Sequence, residues 1–304
     1  SSDTPYSHGF RNYYRLKNTT ASSGGASTYR EIDYRVEAQD IASSGWDYTS
    51  TSSYITLSFW LRASISQSYY LNVRSQDGTQ RAFISELAVT ADTWKKFEIT
   101  MPGNSGITLN HDNGLGLLVR FIPWYGTTYT GSGSTGAWVT SSNDMIPDMT
   151  DTWGETANAT FDLTGLQLEV GEKATPFEHR LYADELARCQ RYYYRAVDGA
   201  YDSNHIVCSG AWYNTTQLYG VIDFPVEMRT TPTLSYSSNS NTSAFRVFTA
   251  GNFSSTDDIG TQQTGRSRYG IYFYNLSPTR TAGNAGWAEL ENESGAYIAF
   301  EAEL

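Results

Sequence analysis

The run FDLTGLQLEV at 161–170 restricts the fold more than any other stretch of the chain. Phe161 and Leu163 share one face of a strand, whereas Leu166, Leu168 and Val170 fall on the opposite parity. The apolar register therefore slips by one residue at Gly165. Side chains alternate strictly along a strand, so a slip at a glycine predicts a β-bulge in an antiparallel pair. Gly171 ends the run and Pro176 blocks its continuation. The period then changes. Leu181, Leu186, Cys189 and Tyr193 fall near one helical stripe, with Asp184, Arg188, Arg191 and Arg195 mostly off it. Asp184 and Glu185 near the start and arginines toward the end complement a helix dipole, and Asp184 and Arg188 form an i,i+4 pair. These features predict a short amphipathic helix docked by its apolar stripe. Tyr192, Tyr193 and Tyr194, with Arg191 and Arg195, exceed what one thin stripe can bury and predict contact with a neighbouring domain or subunit.

Strand patterns fill the chain on either side. Ile55, Leu57, Phe59 and Leu61 alternate with Thr56, Ser58, Trp60 and Arg62, which leaves Trp60 exposed or facing a groove, unless a crossing loop covers it. Ile32, Tyr34 and Val36 alternate in the same way around a half-buried strand, after a Ser/Gly-rich loop at 22–27. Further strands are predicted over 69–74, 81–87, 94–100 and 115–122, with a turn at Asp77-Gly78. Beyond the helix, strands are expected over 206–213, 217–223, 233–236, 245–249, 269–274, 286–290 and 297–303. Asn252, Ser254, Asp257 and Asp258 read as a long surface loop. In the strand 269–274 both faces are aromatic, which predicts burial on both sides or an interface involving Tyr272 and Tyr274. The expectation is an all-β chain of two β-sandwiches, residues 1–177 and 197–304, joined by a helical connector over 178–196. A chain of 304 residues is long enough for two cores.

The composition excludes several functions. A net charge of −11 and 21 Lys plus Arg provide no basic stripe to neutralise phosphates, so nucleic acid is not the partner. No run approaches about 18 apolar residues, so no transmembrane segment is expected. The N-terminus has no signal-peptide pattern, and its opening reads as a cut within a longer chain. The sequons at Asn18, Asn158, Asn214 and Asn252 carry no weight without a glycosylating pathway. Cys189 and Cys208 are expected as two buried free thiols. His8, His111, His179 and His205 lie far apart, and no nucleophile elbow, metalloprotease helix or phosphate-binding glycine loop occurs. A glycosidase needs two carboxylates about 5 or about 6.5 to 9.5 Å apart across a cleft. None of the 32 acids is singled out for that role, and catalysis is not expected.

The anomaly is aromatic content: 23 Tyr, 13 Phe and 8 Trp. Residues 123–154 form a predicted long loop, with a short strand at 137–140 on its rim. A loop of that length in a compact domain is functional or disordered, and its aromatic residues oppose disorder. A pyranose is recognised by a flat aromatic face flanked by amide or carboxylate partners. Trp124, Tyr125, Tyr129 and Trp138, with Asn143 and Asp144, provide that composition, and Trp46 and Tyr48 form a second pair. The competing reading is that these rings pack the loop or an interface.

Taken in order, LTGLQLEVG, ATPFEHR, ELARCQRYY, FPVEMRTTPTL and the terminal YIAFEAEL resemble the C-terminal part of bacteriophage tail fibre and related virion structural proteins. The resemblance is dense over 161–304. Over 1–160 it is architectural, and there it is similar to carbohydrate-binding-module jelly rolls. It implies a jelly-roll-like, homotrimeric fibre-tip protein of the virion that binds a bacterial surface polysaccharide or lipopolysaccharide without cleaving it. The alternatives are a structural component without ligand or a polysaccharide hydrolase. Jelly-roll modules of this kind hold a structural calcium near the strand ends. The resemblance implies Asp162 on the closing strand as a donor, with Asp3, Glu37 and Asp40 as further oxygens.

Overall fold

The computed structural model describes residues 3–21, 25–131, 133–141, 145–149, 152–198, 205–237, 244–290 and 296–303. The chain divides into two compact units between Glu178 and His179. The first contains β1 (Tyr14–Lys17), β2 (Tyr29–Glu37), α1 (Ala38–Ala42), β3 (Tyr54–Ala63), β4 (Gln67–Ser75), β5 (Arg81–Val89), β6 (Lys95–Pro102), β7 (Leu115–Tyr125), β8 (Thr130–Gly131), β9 (Trp138–Thr140), β10 (Ile146–Pro147) and β11 (Thr160–Val170). The second contains α2 (Tyr182–Gln190), β12 (Tyr193–Asp198), β13 (Ile206–Trp212), β14 (Leu218–Asp223), β15 (Thr233–Ser237), β16 (Phe245–Thr249), β17 (Asn252–Thr256), β18 (Asp258–Thr264), β19 (Arg268–Tyr274), β20 (Ala285–Leu290) and β21 (Tyr297–Glu301). The chain is all-β, and its sheets are antiparallel apart from the two-stranded parallel pair of β8 and β10.

The first unit is a sandwich of a four-stranded sheet, β1-β11-β3-β6, and a five-stranded sheet, β2-β7-β4-β5-β9. Alternation puts Leu57, Phe59 and Leu61 of β3, Leu71 and Val73 of β4, Val119 and Phe121 of β7 and Phe161 of β11 into one core between them. Phe59 meets Phe121 edge-on at 4.9 Å. The register between β11 and β3 breaks between Thr164 and Gln167, where the slip at Gly165 predicts a bulge. Gly165 has φ +63°, and an added Cβ would lie 2.4 Å from the Phe10 ring. Glycine is required there for both reasons. Trp60 is not open, because His8 stacks on it at 4.0 Å. His8 is held by Asp3 at 2.8 Å.

The second unit packs a three-stranded sheet, β12-β21-β15, on a seven-stranded one, β17-β16-β20-β13-β14-β19-β18. Ile298 and Phe300 of the first meet Trp212, Leu218, Phe245, Ile271 and Phe273 of the second.

Four expectations are corrected here. The helix stops at Gln190, and Tyr193, Tyr194 and Arg195 belong to β12, paired with β21. It does not dock by its stripe: no residue of α2 is buried, and Tyr182 and Leu186 are 80% and 40% exposed. The polar stretch after Gly251 is not a loop but the strands β17 and β18. Its inward positions Ser254 and Thr256 are buried hydroxyls, which donate to the carbonyls of Pro278 and, at 2.6 Å, Tyr274. Cys189 is exposed and only Cys208 is buried, where burial pushes its thiol up to about 12.

The β19 strand has one buried face, Tyr269, Ile271 and Phe273. On the other face Tyr272 stacks on Tyr219 at 5.1 Å and touches Tyr274 at 5.6 Å.

Candidate functional site

Opposite Glu31, β7 carries an extra residue: Arg30 pairs with Trp124 and Ile32 with Phe121. This bulge decides the fate of two adjacent aromatics. Trp124 turns into the main core and packs over Gly154, whose added Cβ would lie 2.6 Å from its ring. Tyr125 turns to the opposite face of the five-stranded sheet, where a smaller apolar cluster forms with Tyr70, Ile84, Ile122 and Ile146. The chain after β7 folds back over this face. Gly126 donates to the Thr28 carbonyl at 2.8 Å, and Met145 donates to the Tyr129 carbonyl at 3.0 Å.

An open pocket of about 240 Å³ results, lined by Tyr29, Glu31, Arg120, Tyr125, Tyr129 and Met145. Arg120 is its strut. Its guanidinium donates to both Asp33 oxygens at 2.8 and 2.9 Å and pairs with Glu31 at 3.0 Å. The Tyr125 hydroxyl donates to the other Glu31 oxygen. Burial pushes the Glu31 carboxyl above its ordinary range, and the Tyr125 and Arg120 contacts oppose the shift without cancelling it. Burial likewise raises the Tyr125 phenol. Burial alone would lower Arg120, yet its bond to Asp33 and the neighbouring carboxylate hold it above its usual value. Arg74, on the same face, is lowered by burial and then by Arg120.

Tyr125 and Tyr129, singled out in the sequence, thus meet in one pocket. Tyr29, Glu31 and Arg120 were missed. The available signal was Arg120 itself, a charge interrupting the apolar run Leu117–Ile122, with Glu31 and Asp33 on one parity of β2.

The other expected ligand residues lie elsewhere. Trp124 is in the core. Trp46 is 3% exposed, donates to the Ser53 carbonyl at 3.2 Å and meets Tyr48 edge-on at 6.2 Å, so this pair closes the core rather than facing solvent. Trp138 donates to the Pro102 carbonyl at 2.6 Å and packs against Phe83. Asn143 and Asp144 lie outside the described residues.

The expected calcium donors are not assembled. Asp162 receives two bonds from Arg15, both at 2.7 Å. Glu37 accepts from Gln39 at 2.6 Å, and Asp40 is exposed on α1. Asp3 binds His8 and the Trp94 amide. Among the described residues no three of His, Cys, Asp and Glu converge to hold a metal.

Of the expected interface residues, Tyr194 spends its ring within its own unit, against Phe300 and Phe224. Arg195 pairs with Asp198 at 3.0 Å and lies over Tyr297. The backbone carbonyls of Arg191 and Tyr192 accept from Arg229 and Ala302, while Tyr193 remains 39% exposed. Among the described residues no helix is long and apolar enough to cross a membrane.

No protein-family model matches the chain, and no curated protein matches it. Among solved structures, the N-terminal CBM22 tandem domain of Paenibacillus barcinonensis Xyn10C aligns at 11% identity, covering 96% of this chain and 98% of that one, with a TM-score of 0.23. A tryptophan-to-alanine mutant of HCR D/C VPI 5995 aligns at 9% identity over 96% and 90% of the two chains, with a TM-score of 0.22. At such scores neither likeness bears on what the pocket does.

Proposed function

We propose that the protein is a non-catalytic glycan-binding module whose ligand enters the pocket formed by Tyr29, Tyr125 and Tyr129. The observation that carries this reading is the joining of three tyrosine rings with Glu31 and Arg120 around one open cavity. Apolar ring surface next to fixed polar groups is what a saccharide requires. Binding rather than hydrolysis is favoured because Glu31 is the sole carboxylate among the described lining residues, and it is already held by Arg120 and Tyr125. A hydrolase needs a second carboxylate facing it across the cleft.

The biological setting rests on the ordered motifs over 161–304. Their resemblance to tail-fibre motifs supports, as part of this proposal, a homotrimeric bacteriophage tail fibre with a bacterial surface polysaccharide or lipopolysaccharide as receptor. A purely structural role is favoured by one observation, the exposed Leu181, Tyr182 and Leu186 on and beside α2, which suit packing between subunits.

An array of bacterial surface glycans probed with the wild-type chain and with Tyr29→Ala tests the reading. Tyr29 is 52% exposed, so its removal leaves the fold intact. The expected result is binding that Tyr29→Ala abolishes, with no reducing ends released. Binding unchanged in Tyr29→Ala overturns the site, and a blank array with a stable trimer in solution transfers the case to the structural role.

A further inference from the structure

The three rings are arranged as a corner. Tyr29 lies at 86° to Tyr125 with centroids 6.4 Å apart, and at 87° to Tyr129 with centroids 5.7 Å apart. Tyr125 and Tyr129 are inclined at 55°, 5.5 Å apart. The two contacts of Tyr29 are edge-to-face, a geometry in which each pair leaves at least one ring face uncovered by its neighbour, and all three rings line the same pocket. A saccharide ring can rest against one wall of such a corner, while the angle between the rings takes a smaller group. That angle suits a compact, nearly spherical group.

The electrostatics select the sign of that group. Tyrosine faces carry the negative lobe of the ring quadrupole. Glu31 adds a carboxylate to the lining. The charged groups around Glu31 are Arg120, Asp33 and Arg74. Arg120 is shared between Glu31 and Asp33, so its positive charge is matched within the wall. Asp33 and Arg74 both stand behind the lining with opposite charges, so the four charged groups balance and the ring faces set the preference for a cation. Met145 contributes a polarisable thioether, 3.8 Å from the Tyr125 hydroxyl.

We propose that this pocket is an aromatic cage for an alkylated ammonium group, carried as a substituent on the surface glycan. The inference deepens the glycan-binding reading and rests on it for the carrier, though not for the cage. Tyr125, nearly fully buried, forms the deep wall, and the more exposed Tyr29 and Tyr129 form the open ones.

The test titrates the full chain by calorimetry with choline and with 3,3-dimethyl-1-butanol, its uncharged isostere. Choline is expected to bind about tenfold more tightly than the isostere, since only the cation gains from the ring faces. Tyr29→Phe should retain choline binding, Tyr29→Leu should lose about tenfold, and Glu31→Gln should weaken it about threefold. Equal affinity for choline and isostere overturns the proposal, as does equal affinity in Tyr29→Phe and Tyr29→Leu. If choline does not bind but Tyr29-dependent array binding persists, the cage falls and the glycan site stands. Tyr29-dependent choline binding with a blank array supports the cage and removes the glycan.

Discussion

In the first unit Tyr29, Tyr125 and Tyr129 stand at steep angles to one another. In the second, Tyr213, Tyr219 and Tyr272 lie nearly parallel, 4.7 and 5.1 Å apart with planes 18° and 29° from each other. Both sets use the same residue on the outer face of a sheet, and their consequences are opposite. Parallel rings cover one another's faces, so the row in the second unit satisfies itself. Steeply inclined rings meet edge to face, so each pair leaves at least one ring face uncovered by its neighbour. The supports differ as well. The row rests on a glycine: a Cβ at Gly260 would lie 2.2 Å from the Tyr272 ring. The corner rests on a charge network, with Arg120 holding Glu31 and Asp33. Tyrosine content alone therefore does not mark a site; what the rings lean on does.

The largest expected effect comes from removing the strut. Arg120→Met leaves Glu31 and Asp33 mostly buried without their counter-charge, and breaking such a pair costs about 3 kcal/mol. Urea denaturation of the whole chain, followed by tryptophan fluorescence, should show the loss, and ligand binding should disappear with it. A change below about 1 kcal/mol would mean that the network behaves as a surface ion pair and that the corner stands without it.

That network was half legible in the sequence. The alternation of Ile55, Leu57, Phe59 and Leu61 and the slip at Gly165 are local signals that translate directly into β3 and the bulged β11. Tyr125 and Tyr129 stood out by composition. Trp124 was grouped with them because nothing local reveals that the β7 bulge turns Trp124 inward and Tyr125 to the outer face. That bulge is defined only by pairing with β2, about a third of the chain away. Tyr29 and Glu31 join the pocket through the same pairing and were missed for the same reason. The start of β12 was concealed because Tyr193 continues the helical stripe. The β17 and β18 strands were concealed because Ser254 and Thr256 face inward as hydrogen-bonded hydroxyls, so no apolar alternation is written there.

A smaller effect is expected from the glycine support. Gly260→Val places a branched side chain under Tyr272 and should tip its ring off Tyr219. Crowding of this kind costs about 1 kcal/mol when the obstructing group is the movable end of a side chain. Near-ultraviolet circular dichroism should register the unstacking, whereas choline and glycan binding should not change. Binding lost in Gly260→Val would show that the row, rather than the corner, carries the ligand.

Acidification gives the smallest change in stability and the sharpest contrast in binding. Burial raises the folded-state pKa of Glu31 above its unfolded value. The folded chain therefore takes up that proton first, and this group adds stability as the pH falls through its raised pKa toward the unfolded one. Asp3 behaves in the opposite sense. The Trp94 amide and His8 hold its pKa down, so its contribution is kept above the ordinary carboxylate range and lost as the pH falls through its lowered value. Between the unfolded and the raised folded pKa of Glu31, the wild type and Glu31→Gln should thus differ mainly in the slope of stability against pH, with the slope from Glu31 absent in the variant. In the cage the same proton removes the one lining carboxylate, so choline affinity should fall as the pH drops through the raised pKa of Glu31 in the wild type and stay flat in Glu31→Gln. Burial raises the Tyr125 phenol, so this wall contributes equally at both ends of the titration. An identical acid response in the two proteins would assign the loss to another group and leave Glu31 as a support for Tyr125 rather than a partner of the cation.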